Sequence, residues 1–474
     1  MDLIRAIVRW VLLGVLLVVA AVGPWFFGAW EMWWFWPFVV TLAGGCLLAG
    51  VALLLGEGYF PVEAVRLLLW CLPFCVYILL RWWLGDVVFL DAERTVLLHI
   101  TGLLVAALVV FWMRERQLPW LFWGLFGSLF AMSLYGILNH LIADSRHVLW
   151  MPRFEQYAGR ATGPYYCPDH FAGAMEFLVC MGFGLILDRA SGLWRRLAGS
   201  MAIVLGTIGA LMSLSRGSGM TLVVILGLVV VVGFYQWPRY ARNGWRAICV
   251  FGGLFVLIGA FALAGNYRER FITYGGLDRV SPTAEESVVD QVVERLLRTS
   301  RGRMYTGAWL GWQTAPWLGV GPGMQRNLWP RFAHSGDGNR ETGEWPTLVN
   351  DDFHSYEVHS DWLELLQETG MIGLLLFLTG CVALGWTYWQ GYRHTTIRWR
   401  EDELSLMRQP IEGFHMITAG ALSFGAMVFH SLGDFNLQMP GSVWLLAALL
   451  ALGIRASIAV KGKPSRSESS ETFS

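Results

Sequence analysis

The sequence predicts an all-α, multi-spanning membrane protein of about twelve helices, with one large polar loop between the ninth and tenth spans. Three observations predict it. Of the 474 residues, 55% are apolar and 15% are charged, whereas a soluble domain is about a quarter charged. The 35 basic residues are balanced by 35 acidic ones, which argues against a nucleic-acid partner, because that surface needs a basic excess. Uncharged runs near the roughly 20 residues that cross a bilayer as a helix recur from end to end. Lipid offers exposed backbone groups nothing to hydrogen-bond, so runs of this length read as helices rather than strands.

In chain order the spans read at 8–27, 33–55, 66–84, 96–113, 120–141, 170–187, 197–214, 220–235, 247–265, 362–389, 412–432 and 440–460. The first stretch, with Arg5 and Arg9 ahead of an apolar run, imitates a secretory leader. Its length and the span that follows at once make it a retained first helix. Arginine and lysine concentrate in alternate short loops, for example Arg114, Arg116, Arg195 and Arg196, which puts both termini in the cytoplasm. Trp33-Trp34 and Trp82-Trp83 fall near span ends, where amphipathic rings anchor at the headgroups. The chain thus divides into 1–265 with nine spans, a loop at 266–358, three spans at 359–460 and a polar tail at 461–474, expected to be disordered. A loop this long in a compact bundle is usually functional. Of the seven cysteines, only Cys167 falls in a loop, so no disulfide between loops is expected.

Four segments put polar chemistry on the outer side. The first is SLSRGSG at 213–219, where Arg216 near bilayer depth calls for a partner or a snorkelling path. The second is GRATGPYYCPDHFAG at 159–173, in which Arg160 suits an anion, although loop arginines are commonplace. The third is RGRMYTGAWLGWQTAPWLGVGPG at 301–323. Arg301 and Arg303 precede an amphipathic stretch and could act as a fork for phosphate, and Gly319, Gly321 and Gly323 suggest a tight turn with exposed amides. No Lys-Ser/Thr pair follows and no strand precedes, which argues against a nucleotide loop.

The fourth is NDDFHSYEVHSDWLELLQETGMIG at 350–373. His359 precedes Ser360, a fitting N-cap, and a neutral imidazole at a helix start can serve as a base. Asp361, Glu364 and Glu368 share one helical face, roughly opposite His359, and read as a solvated stripe that does not orient it. Asp351, Asp352, His354, Glu357 and His359 form an alternative divalent-metal set, although their spacing matches no closed site. His430 and Asp434, near the outer end of the eleventh span, either brace the site or serve packing.

Taken in order, these strings resemble the O-antigen ligase and polymerase superfamily of bacterial membrane glycosyltransferases. The resemblance rests on HSDWLELLQETGMIG at 359–373, PWLGVGPG at 316–323, SRG at 215–217, GRATGP with FAG at 159–173, and HSLGDFNLQMP at 430–440, and covers roughly 120–455. It implies transfer of a glycan from a polyprenyl diphosphate carrier to a hydroxyl of lipid A core, a growing glycan or a protein, at the periplasmic face of the inner membrane. The expected transferase is inverting and uses no cofactor and no metal. By resemblance His359 matches the essential loop histidine. Arg216 and Arg303 match phosphate-directed arginines, Arg160 fits a further one, and Arg301, Asp169, His430 and Asp434 are supporting candidates. Asp169 departs from the pattern, in which asparagine is frequent. The competing class is a multi-span transporter or flippase of lipid-linked glycan, but neither two similar halves nor charges at mid-membrane are evident. A third reading is an inactive scaffold in envelope-polysaccharide assembly.

Overall fold

The apolar runs are helices. The computed structural model describes residues 2–142, 146–188, 190–235, 299–333, 356–404 and 413–461. The first span covers Asp2–Trp25: α1 (Asp2–Leu17) is continued by a wider turn at Val18–Val22 and a tighter one at Gly23–Trp25. Then follow α2 (Met32–Leu54), α3 (Val62–Leu84), α4 (Phe89–Trp112), α5 (Leu118–Leu141), α6 (Pro168–Leu187), α7 (Leu193–Met212) and α8 (Arg216–Tyr235). After a gap in the described residues come α9 (Ser300–Thr314), α10 (Gln325–Ala333), α11 (Asp361–Leu404), α12 (Phe414–His430) and α13 (Pro440–Lys461). A two-residue hairpin pairs His147–Val148 with Met151–Pro152.

Among the described residues, ten helices are long and apolar enough to cross a membrane, and α12 is a shorter apolar one. The chain is a multi-pass membrane protein. Eleven of the expected spans coincide with these helices. The ninth, at 247–265, lies outside the described residues, as do 266–298, 334–355 with Asp351, Asp352 and His354 of the metal set, and the tail at 462–474.

Helix α6 is the central element, buried along almost its whole length, and it packs on α7 and α12, while α13 packs on α12 and α4. Small residues allow this. A Cβ at Gly182 would stand 2.7 Å from the Gly199 carbonyl oxygen on α7, and one at Gly184 would stand 2.5 Å from the His415 carbonyl oxygen on α12. Close backbone approach through small residues is a principal way for helices to associate without a hydrophobic drive from water.

At the opposite end from the candidate site, the α2–α3 loop is pinned by charge. The Glu57 carboxylate accepts from Arg9 at 2.9 Å and from Arg114 at 2.7 Å. Burial alone would raise its pKa, but the Arg114 and Arg9 hydrogen bonds and charges outweigh burial and hold it below the ordinary 4.5. Because the folded value is depressed, the contribution to stability is fully present above about pH 4.5 and is lost as pH falls through the folded value. Glu57→Gln is expected to destabilise the fold by about 1–3 kcal/mol at pH 7, with a smaller difference from wild type in acid, read as the thermal midpoint in detergent. Equal midpoints at pH 7 would refute this.

Two features depart from sequence expectation. Helix α9 begins at Ser300 because the Thr299 hydroxyl accepts from Gly302 N at 3.1 Å, an N-cap, so Arg301 and Arg303 sit inside the helix rather than ahead of it. Helix α11 is interrupted at Gly370, whose φ of 66° and ψ of −172° lie in a region open essentially to glycine. The break frees backbone groups, and the 316–321 loop satisfies them. Val320 N donates to Gln367 O at 2.9 Å and Gly321 N to Glu368 O at 2.9 Å, while Met371 N and Ile372 N donate to Pro316 O and Trp317 O at 2.9 and 3.2 Å. Irregular backbone at membrane depth survives only when protein or water satisfies it in this way. A Cβ on Gly370 would collide with Gly319 N. Gly370→Ala is therefore expected to cost the backbone about 1–3 kcal/mol and to undock the loop, seen as faster proteolysis around 316–323. Unchanged protease resistance would refute it.

Candidate active site

The loop ahead of α6 is shaped by aromatic packing. The Phe171 ring lies where a Cβ on Gly136 or Gly163 would collide with it, and Gly163 takes a φ of 51°. The same FAG string admits the Asn436 side chain, which would stand 2.8 Å from a Cβ on Gly173. This folding delivers Arg160 to the α7 terminus, where Ala161 N donates to Met212 O at 2.9 Å and Arg160 Nε to Ser213 O at 2.7 Å. Arg160 Nη2 then reaches Asp169 Oδ1 at 2.7 Å. Both side chains are largely buried.

The loop after α12 sits against the start of α11. Asp361 N donates to Asp434 O at 3.1 Å, and Asp361 Oδ2 accepts from Ser431 Oγ at 2.7 Å and Leu437 N at 3.1 Å. These bonds bring four titratable side chains into line. His359 Nδ1 lies 3.8 Å from Asp434 Oδ1, Asp434 Oδ2 lies 3.5 Å from His430 Nε2, and His430 Nδ1 lies 2.8 Å from Glu176 Oε1. The side chains of Glu176, His430 and Asp434 are 0% exposed, while that of His359 is 26% exposed. His359 holds a φ of 60°, and its carbonyl accepts from Tyr305 Oη on α9 at 3.0 Å. Phe435 places its ring 4.5 Å from both His359 and His170, edge to face.

Arg301 joins the two halves. Its Nη1 donates to Gly433 O at 2.7 Å and its Nη2 lies 3.8 Å from Asp169 Oδ2. Asp169 is thus flanked by Arg160 and Arg301. Two positions apart on a helix is about 200° of rotation, so Arg301 and Arg303 leave α9 on different sides and do not make the expected adjacent fork. Arg216 opens α8, two residues after Leu214 with its φ of 53°. Its neighbour Gly217 lies against His430, with Nε2 3.4 Å from a Cβ built there.

Two further expectations are corrected. The amides of the glycine turn are not free for an anion: Gly319 N donates to Ala315 O, Gly321 N to Glu368 O, and Gly323 N to Glu368 Oε2 at 2.8 Å. The acidic face of α11 is not solvated. Asp361, Glu364 and Glu368 are all buried, with Glu364 accepting from Val358 N at 2.9 Å and Glu368 also from Gln325 N at 3.2 Å. Glu368 ties the glycine turn to the helix, and Asp361 ties the loop after α12 to it. Glu176 went unnoticed in the sequence, although a lone glutamate in an otherwise apolar span is a signal in its own right.

Beside the polar cluster lies an apolar cavity of about 270 Å³ between α3, α4, α11, α12 and α13. Trp362 and Leu437 line it at the end nearest Asp361, and Leu67, Ala107, Phe111 and Ile454 line it deeper in the bundle.

Residues 201–378 match the family model described as O-Antigen ligase. That stretch is similar to the O-antigen ligase superfamily and spans less than half of the chain. No curated protein matches the chain. The matched segment contains Arg216, Arg301, Arg303 and His359. Arg160, Asp169, Glu176, His430 and Asp434 lie outside it and meet it through the contacts above. Together with the helical bundle, the match supports an O-antigen ligase- or polymerase-like membrane enzyme.

Proposed function

We propose that the chain transfers a glycan from a polyprenyl diphosphate carrier to an acceptor hydroxyl on the periplasmic face of the inner membrane, with inversion and without a metal. The observation that carries this reading is the linkage of an arginine pair to a histidine–carboxylate pair through Arg301, which contacts both Asp169 and the backbone beside Asp434. The acceptor O–H attacks the anomeric carbon. A new C–O bond forms as the bond to the diphosphate oxygen breaks, and the electron pair leaves with the lipid diphosphate. The proton passes to His359 Nε2, the nitrogen left over when Nδ1 faces Asp434.

Developing charge on the leaving diphosphate is met by guanidinium groups fixed in advance, each able to bind two oxygens. Arg160, Arg216, Arg301 and Arg303 are the candidates. The apolar cavity offers the isoprenoid a place between helices while its diphosphate stands at the polar end. Lipid A core, growing glycan and protein remain the candidate acceptors.

The test is transfer of a lipid-diphosphate-linked glycan by the purified protein in the presence of EDTA. Wild type should turn over undiminished by the chelator, and Arg216→Ala should lose about 10²–10³-fold in kcat, the cost of one missing charge-stabilising donor. Turnover abolished by EDTA would overturn the metal-free reading. No turnover with any acceptor, together with glycolipid flux across proteoliposomes, would instead make the chain a carrier.

A further inference from the structure

We propose that Asp169 is the selectivity element of the diphosphate site: an internal anion that keeps singly charged lipid headgroups off Arg160 and Arg301 and yields to the donor's diphosphate. The inference rests on the proposed diphosphate site and goes beyond it, because it concerns which anions that site refuses.

The geometry is that of an occupied anion site. One carboxylate oxygen of Asp169 lies 2.7 Å from Arg160 Nη2 and the other 3.8 Å from Arg301 Nη2. Both guanidiniums are held elsewhere as well, Arg160 by Ser213 O at 2.7 Å and Arg301 by Gly433 O at 2.7 Å. Neither arginine therefore depends on Asp169 alone for its position. The shared negative charge sits between two cations that the backbone has already placed.

Such a pair near the bilayer surface faces a specificity problem. Wherever anionic phospholipids share that surface, each offers a phosphodiester with one negative charge. Two bare guanidiniums would bind them and be blocked. A tethered carboxylate competes at high effective concentration, so a phosphodiester that displaces it exchanges one charge for another and gains little. A diphosphate brings a charge and free oxygens on each of two phosphorus atoms, enough to satisfy both guanidiniums at once. The looser side of Asp169, facing Arg301 at 3.8 Å, is where it would enter. Selectivity here comes from a cost imposed on the wrong ligand rather than from an added contact to the right one.

The experiment uses the full chain in nanodiscs, with phosphatidylcholine alone or with increasing phosphatidylglycerol, and measures binding of polyprenyl diphosphate. In phosphatidylcholine, Asp169→Asn should bind about tenfold tighter than wild type, since a like charge next to the ligand is gone. As phosphatidylglycerol rises, the variant should lose that advantage while wild type changes little. Weaker or equal binding by the variant in phosphatidylcholine, or equal lipid sensitivity in the two proteins, would overturn the inference. If Asp169→Asn does not fold, Asp169→Ser and the wild-type titration decide: strong inhibition of wild type by phosphatidylglycerol would also overturn it. Failure of wild type to bind polyprenyl diphosphate, or unchanged binding by Arg160→Gln, would instead sink the diphosphate site itself. Arg160-dependent binding that Asp169→Asn leaves untouched would sink the selectivity role alone.

Discussion

His359→Ala should lower kcat by about 10²–10⁴-fold, the range for loss of a general base, and leave the donor KM within about twofold. The split follows from where the ring stands. His359 lies on the acid–base side of Arg301, with its Nδ1 3.8 Å from Asp434 Oδ1, whereas the arginine pair around Asp169 lies on the other side. A separation of 3.8 Å is longer than a hydrogen bond, and such catalytic contacts often tighten only once the reactants are seated. The backbone here is already committed. His359 has a φ of 60°, which a non-glycine residue keeps only when its surroundings hold it, and Tyr305 on α9 binds its carbonyl. Truncating the ring removes neither restraint, so the thermal midpoint should shift little. Steady-state transfer by the purified variant checks this, and a kcat within tenfold of wild type would remove His359 from the chemistry.

How much of this was legible beforehand differs between fold and site. Lipid forces long apolar runs on any spanning helix, so spans such as 33–55 and 440–460 could be read almost residue by residue as α2 and α13. The break at Gly370 could not, because ETGMIG reads as helix with a tolerated glycine. What opens it is a loop some fifty residues earlier in the chain, whose backbone pairs with Gln367–Ile372. The same loop took up the Gly321 and Gly323 amides and buried Glu368, whereas Asp361 is bound by the loop after α12 and Glu364 by Val358 N, so the two misreadings share a cause only in part. In the site, His359 and the arginines stood out as charge in unusual strings. Glu176 was passed over although it lies inside the apolar run of α6, and its partner His430 is remote in sequence. The sequence suggested His430 and Asp434 as braces or packing. Asp434 stands 3.8 Å from His359 and 3.5 Å from His430, and His430 stands 2.8 Å from Glu176, so both lie beside the proposed base.

Asp434→Asn should be nearly as damaging as loss of His359 itself, with kcat reduced by about 10²–10⁴-fold and donor KM little changed. The argument is one of tautomers. For Nε2 to take the acceptor proton, Nδ1 must carry a hydrogen, and the carboxylate facing it can only accept. An asparagine can turn its NH₂ toward Nδ1, favour the other tautomer and leave Nε2 protonated; in a Ser-His-Asp triad the same exchange costs about 10⁴. Burial would raise the Asp434 pKa, but hydrogen bonds toward His359 and His430 and the Arg301 charge hold it well below the ordinary 3.8. The charged form is the bound one, so its contribution is complete above the ordinary value and fades only as pH falls through the lower folded one. Any loss of activity in mild acid should therefore arise from groups other than Asp434. Asp434→Glu keeps the charge and should recover part of the rate. Glu176→Gln, two residues further from the reacting atoms with His430 between, should cost only about 10–100-fold, the range for a partner acting through another side chain. The tautomer argument predicts that order, Asp434→Asn worst, then Glu176→Gln, with donor binding intact in both. If turnover and donor binding instead fell together in Asp434→Asn, along with its thermal midpoint, the carboxylate would be holding the α11–α12 junction rather than His359.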